Sequence, residues 1–278
     1  MALLYDLKQK LRRALPPSVR PKVEEAIYLY LYNFSPARRQ NFFNGGYAPA
    51  AERFVNTPPF DKEPLQATLY DYVLWEMAAP HGGPRGDILD IGCGLGGGCR
   101  IAAERYPNAR ITGVDASGAA VRASRKRLAD LPNVDVVRGN GRELPFKDAS
   151  FDFIFSVGAA SYIGMPEFFR EASRVLRPGG LLSFSVGYTA ASFPRQVRAV
   201  NEHSAAAGLD VLEIKNITEH VFAAIDADVP RRQALIDKTP SMFRGYAREW
   251  GDMPGTARYQ QYVNGRRLDY VVICRKPE

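Results

Sequence analysis

The residues best suited to chemistry lie in one short stretch that is rich in glycine. Residues 87–98 read DILDIGCGLGGG, so an apolar run leads directly into five glycines. Glycine lets the backbone turn sharply and bring its amides against a ligand that a side chain would keep away. Gly92, Gly94 and Gly97 fit the spacing G-x-G-x-x-G, and Asp115 follows at the distance where an acid binds ribose hydroxyls. The order of strand, glycine loop, helix, strand and acid predicts a ligand that contains adenosine.

Asp90 narrows the choice of that ligand, because it is a carboxylate directly before the glycine loop. A pyrophosphate at short range would be repelled by this carboxylate. An amino-acid head group in the same place can instead offer it an ammonium as a partner. The pattern therefore favours S-adenosylmethionine over NAD or FAD as the cofactor.

Four successive segments resemble motifs of the class I S-adenosylmethionine-dependent methyltransferases, namely LDIGCGLGGG, ITGVDAS, GRELPFKDASFDFIFS and REASRVLRPGGLLSFS. The resemblance implies that the glycine loop wraps the methionine and ribose, that Asp115 holds the ribose and that Asn140 lies at the adenine edge. An asparagine there can both donate a hydrogen bond to adenine and accept one from it. The cofactor-binding residues implied in this way are Asp90, Gly92, Gly94, Gly96, Asp115, Ala116, Asn140, Gly141, Ser156 and Gln66.

Two flanking segments are similar to a small-molecule branch of this family, which includes sterol, phosphobase and phthiotriol-type lipid methyltransferases. They are NGGYAPA at residues 44–50 and the C-terminal stretch from MFRGYAREW to RRLDYVVICRK. In that branch the segment before the glycine motif folds over the cofactor. The resemblance therefore implies that Tyr47 and Gln66 belong to a lid, with Tyr47 close to the reacting groups.

The segment SVGAASYIG (156–164) occupies the place where this fold puts its acceptor-side groups. It contains no N-P-P-Y, which argues against nucleobase and glutamine N-methyltransferases. Lipid and sterol relatives tend to have glutamate and histidine where this chain has Gly158 and Ser161. One interpretation is a site without a general base, since displacement at a sulfonium carbon needs mainly alignment and desolvation. The other is catalytic assistance from Tyr162 or from a group in residues 218–262.

Two further functions stay open beside methyl transfer to a small natural-product-like or lipid-like acceptor, which is the favoured function. Azetidine-2-carboxylate synthases have a similar fold and close the methionine amine of the cofactor onto its own side chain, releasing methylthioadenosine. Such a cyclase needs a small apolar chamber, which Gly158, Ala159 and Ala160 can help form. The second alternative is a non-catalytic S-adenosylmethionine-binding protein, which would bind the cofactor tightly without turnover.

The composition limits the partners of the chain. Its 278 residues are 46% hydrophobic and 24% charged, as in globular proteins, and carry a net charge of +7. Residues 1–53 hold nine Lys or Arg against four acids, which indicates a solvated basic face or an anionic partner. No zinc finger or RNP-like aromatic run points to nucleic acid, and no apolar run approaches a membrane span. The three cysteines have neither a paired framework nor the spacing of metal ligands, which favours a cytoplasm-like compartment. The oligomeric state is not determined by the sequence, and a homodimer is one possibility.

Strand-like and helical patterns alternate from the linker at 80–86 to about residue 190, which predicts a parallel sheet with helices on both faces. The predicted fold class is α/β, a Rossmann-like methyltransferase fold with a mostly parallel seven-stranded sheet. The predicted strands are 88–91, 110–114, 134–138, 151–156, 181–186, 210–216 and 269–276. The predicted helices are 2–14, 22–34, 63–79, a helix from the glycine loop to about 105, 119–128, 166–175 and 195–206.

Two regions outside this alternation are expected to cap the open end of the sheet. Residues 1–80 are predicted to form an N-terminal helical cap or lid, and residues 81–278 a catalytic domain that binds the cofactor. Within that domain, residues 218–262 are predicted to be a helical insertion of two or three helices, placed next to the N-terminal helices.

Overall fold

The computed structural model describes residues 40–49, 60 and 62–278, apart from the side chain of Met242. The helices predicted at 2–14 and 22–34 therefore lie outside the described residues. The helices of the described part are α1 Pro64–Asp71, α2 Gly97–Arg105, α3 Gly118–Arg127, α4 Ala160–Ile163, α5 Met165–Val175, α6 Phe193–Ala206, α7 Thr218–Ala227, α8 Val229–Asp237, α9 Ser241–Trp250 and α10 Ala257–Val263. Its strands are β1 Asp87–Ile91, β2 Arg110–Asp115, β3 Val134–Arg138, β4 Phe151–Val157, β5 Leu176–Thr189, β6 Asp210–Asn216 and β7 Arg267–Arg275.

The seven strands form one sheet in the order β3-β2-β1-β4-β5-β7-β6. The first five strands of the chain pair in parallel, whereas β7 runs antiparallel to both of its neighbours, β5 and β6. This arrangement confirms the predicted mostly parallel seven-stranded sheet. Because β1 stands where the strand order reverses, the crevice beyond its carboxyl end is the expected ligand site.

Both faces of the sheet are covered, as the continuous apolar runs of its central strands require. Successive residues of β4 point to opposite faces, so Phe153 and Phe155 pack into the core with α1 and α2, while Ile154 packs with α5 and α6. Within the described residues, no helix combines the length and the apolar character needed to cross a bilayer.

The insertion differs from the prediction, because the described chain forms four helices, α7 to α10, instead of two or three. Prolines explain the extra break. Pro230 lies in the first turn of α8, and Pro240 is the N-cap of α9. Proline is tolerated at the start of a helix but lacks the amide that a helix interior needs, so each of these residues starts a new helix.

Two other elements differ in length from their predictions. The helix predicted at 63–79 divides into α1 and a π-helical turn over Tyr72–Glu76. β5 begins at Leu176, directly after α5, instead of near residue 181. Leu176 already pairs with Phe151 of β4, and the register shifts before Phe153, so the RPGG segment forms an irregular first part of the strand.

Candidate cofactor and acceptor site

The glycine loop leaves β1 through a left-handed turn that a side chain could not occupy. Gly92 has a φ of +81°, and a Cβ built on it would lie 2.3 Å from the Cβ of Ala159. The amides of Gly92 and Cys93 both donate to the carbonyl of Val114, at 2.8 and 3.1 Å, which ties the loop to the end of β2. The loop is therefore held between β2 and the segment that follows β4, where the sequence predicts the acceptor.

Replacing Gly92 by alanine should cost more stability than a positive φ alone would cause. Gly208 is the matched control, since its φ is +72° and a Cβ there meets nothing within 4 Å. Both variants should pay about 1–2 kcal/mol for the left-handed backbone. Gly92→Ala should lose about 1–3 kcal/mol more, because its methyl group overpacks against Ala159. Urea unfolding measures both free energies, and equal losses would show that the loop has room for a side chain.

Asp90 lies wholly buried below the glycine loop. The thiol of Cys99 donates to its Oδ2 at 3.6 Å, and no described residue partners its Oδ1. Burial raises the pKa of Asp90 to about 8. The hydrogen bond from Cys99 acts to lower this pKa, and the charge of Asp115 acts to raise it further. A buried carboxyl oxygen without a partner calls for an explanation. An ammonium would supply both the missing hydrogen bond and the opposite charge, so the site fits the amino group of S-adenosylmethionine.

The raised pKa of Asp90 predicts how the stability of the ligand-free protein depends on pH. The folded protein keeps the proton up to about pH 8, whereas the unfolded chain releases it near the ordinary value of 3.8. Between these values Asp90 therefore makes the wild type less stable as pH rises, by at most about 1.4 kcal/mol per pH unit. Asp90→Asn removes this titration, so its stability relative to the wild type should grow between pH 5 and pH 7.5.

Urea unfolding at the two pH values checks this expectation, because the titrations of all other groups cancel in the comparison. The exposed Asp135 supplies a control variant, Asp135→Asn. If the unfolding free energies of Asp90→Asn and the wild type change in parallel with pH, the carboxyl group of Asp90 is not perturbed by its burial.

Asp115 ends β2 and lies beside the glycine loop. Its Oδ2 accepts a hydrogen bond from the amide of Gly94 at 3.0 Å, and its Oδ1 accepts one from the amide of Ser117 at 2.8 Å. Burial raises its pKa, and these two amide hydrogen bonds oppose that effect. Each carboxylate oxygen keeps a second acceptor position, so a pair of ribose hydroxyls can still bind. Ala116 is exposed directly beside it.

The loop predicted to meet adenine is fastened to the segment that follows β4. Asn140 is exposed, and its Oδ1 accepts from the amide of Arg142 at 3.0 Å. A Cβ on Gly141 would lie 2.5 Å from the Cδ1 of Ile163, and the Nε of Arg142 donates to the carbonyl of Ile163 at 2.7 Å. The structure thus brings the predicted adenine edge against α4.

Two of the residues predicted to bind the cofactor lie against the protein interior. Ser156 is wholly buried, and its hydroxyl donates to the carbonyl of Ile91 at 2.8 Å, which joins β4 to the end of β1. Gly96 is the N-cap of α2 with a φ of +86°, and a Cβ there would lie 2.7 Å from the side chain of Leu128 after α3. Both residues support the glycine loop on the side that faces the protein interior.

Gln66 and Tyr47, the predicted lid residues, contact the insertion. The Nε2 of Gln66 donates to the Oδ2 of Asp228 at 2.9 Å. The ring of Tyr47 stacks between Tyr72 and His220, with centroid distances of 4.3 and 4.7 Å. Burial raises the pKa of Tyr47. These contacts join the chain before β1 to the start of α7 and to α8.

Phe42 and Tyr70, which precede β1, are aromatic residues that approach the glycine loop itself. A Cβ on Gly97 would lie 2.4 Å from the ring of Phe42, and a Cβ on Gly98 would lie 2.4 Å from the ring of Tyr70 and 2.7 Å from Asp90. Sequence reasoning did not place either residue at the glycine loop. The signal was present as aromatic residues ahead of the glycine motif, but nothing in their spacing showed which of them reach the loop.

The acceptor side carries a group of polar residues that the sequence did not reveal. The hydroxyl of Tyr262 donates to the Oδ2 of Asp269 at 2.7 Å, and the Nε of Arg258 donates to Asp252 at 2.7 Å. These residues form the acceptor-side cluster, which consists of Asp252, Arg258, Tyr262, Arg267 and Asp269. Tyr162 is 58% exposed on α4.

A cavity of about 390 Å³ lies between the start of α7 and the start of β7. Its walls include Thr218, His220 and Leu268. The hydroxyl of Thr218 accepts a hydrogen bond from the backbone amide of Asp269 at 2.9 Å, which links this wall of the cavity to β7. Its size is within the range of small-molecule sites in proteins.

Methyltransferases are among the known proteins that this chain resembles in sequence. Residues 88–180 match the family described as a methyltransferase domain. The chain is 31% identical over 229 residues to the phthiotriol/phenolphthiotriol dimycocerosates methyltransferase of Mycobacterium tuberculosis. The aligned region covers 80% of this chain and 82% of that protein. It is 25% identical to the fatty-acid O-methyltransferase of Mycolicibacterium smegmatis, over 91% of this chain and 90% of that one.

The fold is also found in solved methyltransferase structures. Geranyl diphosphate C-methyltransferase from Streptomyces coelicolor, determined with S-adenosyl-L-homocysteine, superposes with a TM-score of 0.65 at 17% identity, covering 91% of this chain and 97% of that chain. This likeness shows the Rossmann-like methyltransferase fold, and the cofactor is S-adenosylmethionine. The chain belongs to the family of S-adenosylmethionine-dependent methyltransferases that includes the phthiotriol/phenolphthiotriol dimycocerosates methyltransferases.

Proposed function

We propose that this methyltransferase transfers the methyl group of S-adenosylmethionine to an oxygen atom of a small lipid-like or natural-product-like acceptor. The observation that supports binding of S-adenosylmethionine is the wholly buried Asp90, whose Oδ1 has no partner among the described residues. The acceptor half is supported by the cavity of about 390 Å³ between the start of α7 and the start of β7. It is further supported by similarity to a fatty-acid O-methyltransferase and to methyltransferases of phthiotriol lipids.

The residues of the chain would hold the cofactor along the carboxyl ends of β1 and β2. We assign the amino group to Asp90, the ribose hydroxyls to Asp115 and the adenine edge to Asn140 and Gly141. Gly92 keeps the loop clear of side chains on the acceptor side. Bound S-adenosylmethionine supplies a methyl group activated by its sulfonium, so the protein needs to align the acceptor oxygen and exclude water.

Residues 1–80 and 218–262 are proposed to form a joint cap over the catalytic domain that 81–278 provide. The support is a buried network between the described parts of both segments. Arg232 donates to Asp228 at 2.8 Å and to the carbonyl of Gly45 at 2.9 Å, while Gln66 donates to the same carboxylate. The cap would order the acceptor and keep water from the sulfonium.

The test is an assay with S-adenosylmethionine that carries a deuterated methyl group. Long-chain alcohols, phenols, fatty acids and amines are offered in parallel, and products are identified by mass spectrometry. We expect S-adenosylhomocysteine together with an acceptor that carries the label on oxygen. Label on nitrogen or carbon would contradict the proposed atom. Methylthioadenosine formed without an acceptor would indicate the cyclase, which the relatives do not favour, and cofactor binding without turnover would indicate the non-catalytic alternative.

A reducing, cytoplasm-like compartment is proposed as the location of the protein. All three cysteines are buried and none forms a disulfide. Burial also raises the pKa of Cys274 to about 12, which keeps that thiol protonated and unreactive. Sedimentation of the same preparation distinguishes a monomer from the homodimer that the sequence leaves open.

A further inference from the structure

The acceptor-side cluster lies at the edge of the sheet where methyl transfer is expected. Val157, the last residue of β4, pairs with Ser185 of β5, and Gly187 lies two residues further along β5, opposite Asp269 of β7. Asp269 is therefore level with the segment that follows β4, whose Ala159 touches the glycine loop. Three strand spacings separate β7 from β1, which is about 15 Å and leaves room for the cofactor and an acceptor between them.

The sheet itself makes room for this cluster. A Cβ on Gly187 would lie 2.5 Å from the Oδ1 of Asp269 and 2.1 Å from the Nη2 of Arg267. Any other residue on β5 at this point would displace the two side chains. The two side chains therefore fill a recess over Gly187, and both stay partly exposed, Asp269 at 16% and Arg267 at 28%, so that solvent reaches them.

Hydrogen-bond capacity is left over in the recess. The Oδ2 of Asp269 accepts a hydrogen bond from the hydroxyl of Tyr262, and its Oδ1 lies 3.5 Å from the Nη2 of Arg267. The Nε of Arg267 is buried and has no partner among the described residues. Buried donors are seldom left without an acceptor. An acceptor position on Asp269 and a donor on Arg267 are therefore available next to each other.

The charges around Asp269 suit proton removal. Burial raises its pKa, while Arg267 and the hydrogen bond from Tyr262 oppose that effect and Asp252 adds to it. A general base works best when its pKa lies closer to the working pH than that of an ordinary aspartate. The ionisable groups facing Asp269 are Tyr262 of α10, Arg267 of β7 and Asp252 of the loop after α9.

We infer that Asp269 is the general base of the reaction, that Arg267 binds the same acceptor oxygen, and that the acceptor is therefore a neutral alcohol or phenol. This inference rests on the proposed function. The hydroxyl proton passes to the carboxylate of Asp269 as an oxygen lone pair forms the bond to the methyl carbon. The carbon–sulfur bond breaks, and its electron pair stays on sulfur, leaving neutral S-adenosylhomocysteine. Asp269 then releases the proton to water.

The charge balance of the cluster argues against a carboxylic acid or an amine as the acceptor. Two aspartates and two arginines already compensate each other, so a carboxylate or an ammonium would bring an uncompensated charge into the recess. A hydroxyl brings no charge, can donate to the carboxylate of Asp269 and can accept from the guanidinium of Arg267. Tyr262 holds the carboxylate of Asp269 in place and is a positioning residue.

The test compares Asp269→Asn with the wild type on alcohols and phenols of graded acidity. We expect the turnover of an aliphatic alcohol to fall about 10²- to 10⁴-fold, because a general base contributes that much. The loss should shrink for acidic phenols, which ionise without help, whereas a merely structural defect would slow all acceptors alike. Affinity for S-adenosylhomocysteine should stay unchanged. Asp210→Asn, an exposed residue at the start of β6, is the control.

Tyr262→Phe keeps the buried ring and removes only the hydrogen bond to Asp269, so it tests the cluster even if Asp269→Asn folds poorly. It should lower turnover less than Asp269→Asn and shift the pH profile of turnover. Equal turnover of Asp269→Asn and the wild type would overturn the inference, as would a preference of the wild type for fatty acids, while the proposed function would stand. If no acceptor of any class yields S-adenosylhomocysteine, the proposed function itself fails, and the inference with it.

Discussion

Replacing Asp228 by alanine should lower the free energy of unfolding by about 3–5 kcal/mol, because it leaves the buried Arg232 without its counter-charge and the half-buried Arg231 paired with Glu63 alone, at 3.7 Å. Both oxygens of this buried carboxylate accept from Arg231, at 2.6 Å each, and one also accepts from Arg232 at 2.8 Å and from Gln66 at 2.9 Å. Arg232 in turn donates to the carbonyls of Gly45 and Gly251. This network around Asp228 thus joins the chain before β1 to the start of α8 and to the loop after α9.

Asp237→Ala is the matched control, since Asp237 is an exposed aspartate on the neighbouring helix α8. Urea unfolding gives both free energies, and hydrogen exchange shows whether α7 and α8 open first. Burial raises the pKa of Asp228, but the hydrogen bonds and charges of Arg231 and Arg232 prevail and hold it below 3.8. The contribution of Asp228 should therefore be complete above about pH 4 and be lost only in more acidic solution. A loss no larger than that of the control would show that the network does not hold the cap.

Replacing Asp115 by alanine should weaken the binding of S-adenosylhomocysteine by about 2–4 kcal/mol, through the loss of two charge-assisted hydrogen bonds to the ribose. The variant also removes the bond that fixes the amide of Gly94, so the glycine loop becomes less ordered before binding. Calorimetric titration measures the affinity, and thermal melting without ligand confirms the fold. Asp115→Asn, which keeps one acceptor oxygen, should show an intermediate loss.

Asp130→Ala is the control for charge removal, since Asp130 is a largely exposed aspartate that pairs with Arg100 on the surface. Its affinity for S-adenosylhomocysteine should equal that of the wild type. If Asp115→Ala binds within about threefold of the wild type, or less than 1 kcal/mol, the ribose lies elsewhere. The assignment of the adenine edge to Asn140 would then need revision as well, because both rest on the same placement of the cofactor.

The cofactor could be read from the sequence because its binding groups are local. Asp90 and the glycines lie within one strand and the turn that follows it, and Asp115 ends the next strand. Parallel pairing of β1 and β2 places these carboxyl ends side by side, as the register from Asp87 with Arg110 to Ile91 with Val114 shows. A contiguous motif and a regular topology were therefore sufficient to predict the cofactor and the mostly parallel sheet.

Only the tertiary structure decided what surrounds those groups. Phe42 and Tyr70 reach the glycine loop, whereas Tyr47 does not. This choice depends on how the chain before β1 packs on α2, and spacing along the chain does not show it. The raised pKa of Asp90 likewise comes from its burial beneath residues of other elements.

The acceptor-side cluster depends on tertiary structure for the same reason. Asp252, Tyr262 and Asp269 come from a loop, a helix and a strand, and the antiparallel return of β7 beside β5 brings the strand to the others. Such pairing depends on packing between distant segments, whereas a sequence motif reports only on neighbours along the chain. The sequence determined that this protein uses S-adenosylmethionine, and the tertiary structure decided which charged groups face the acceptor, because burial and distance arise only after the chain has folded.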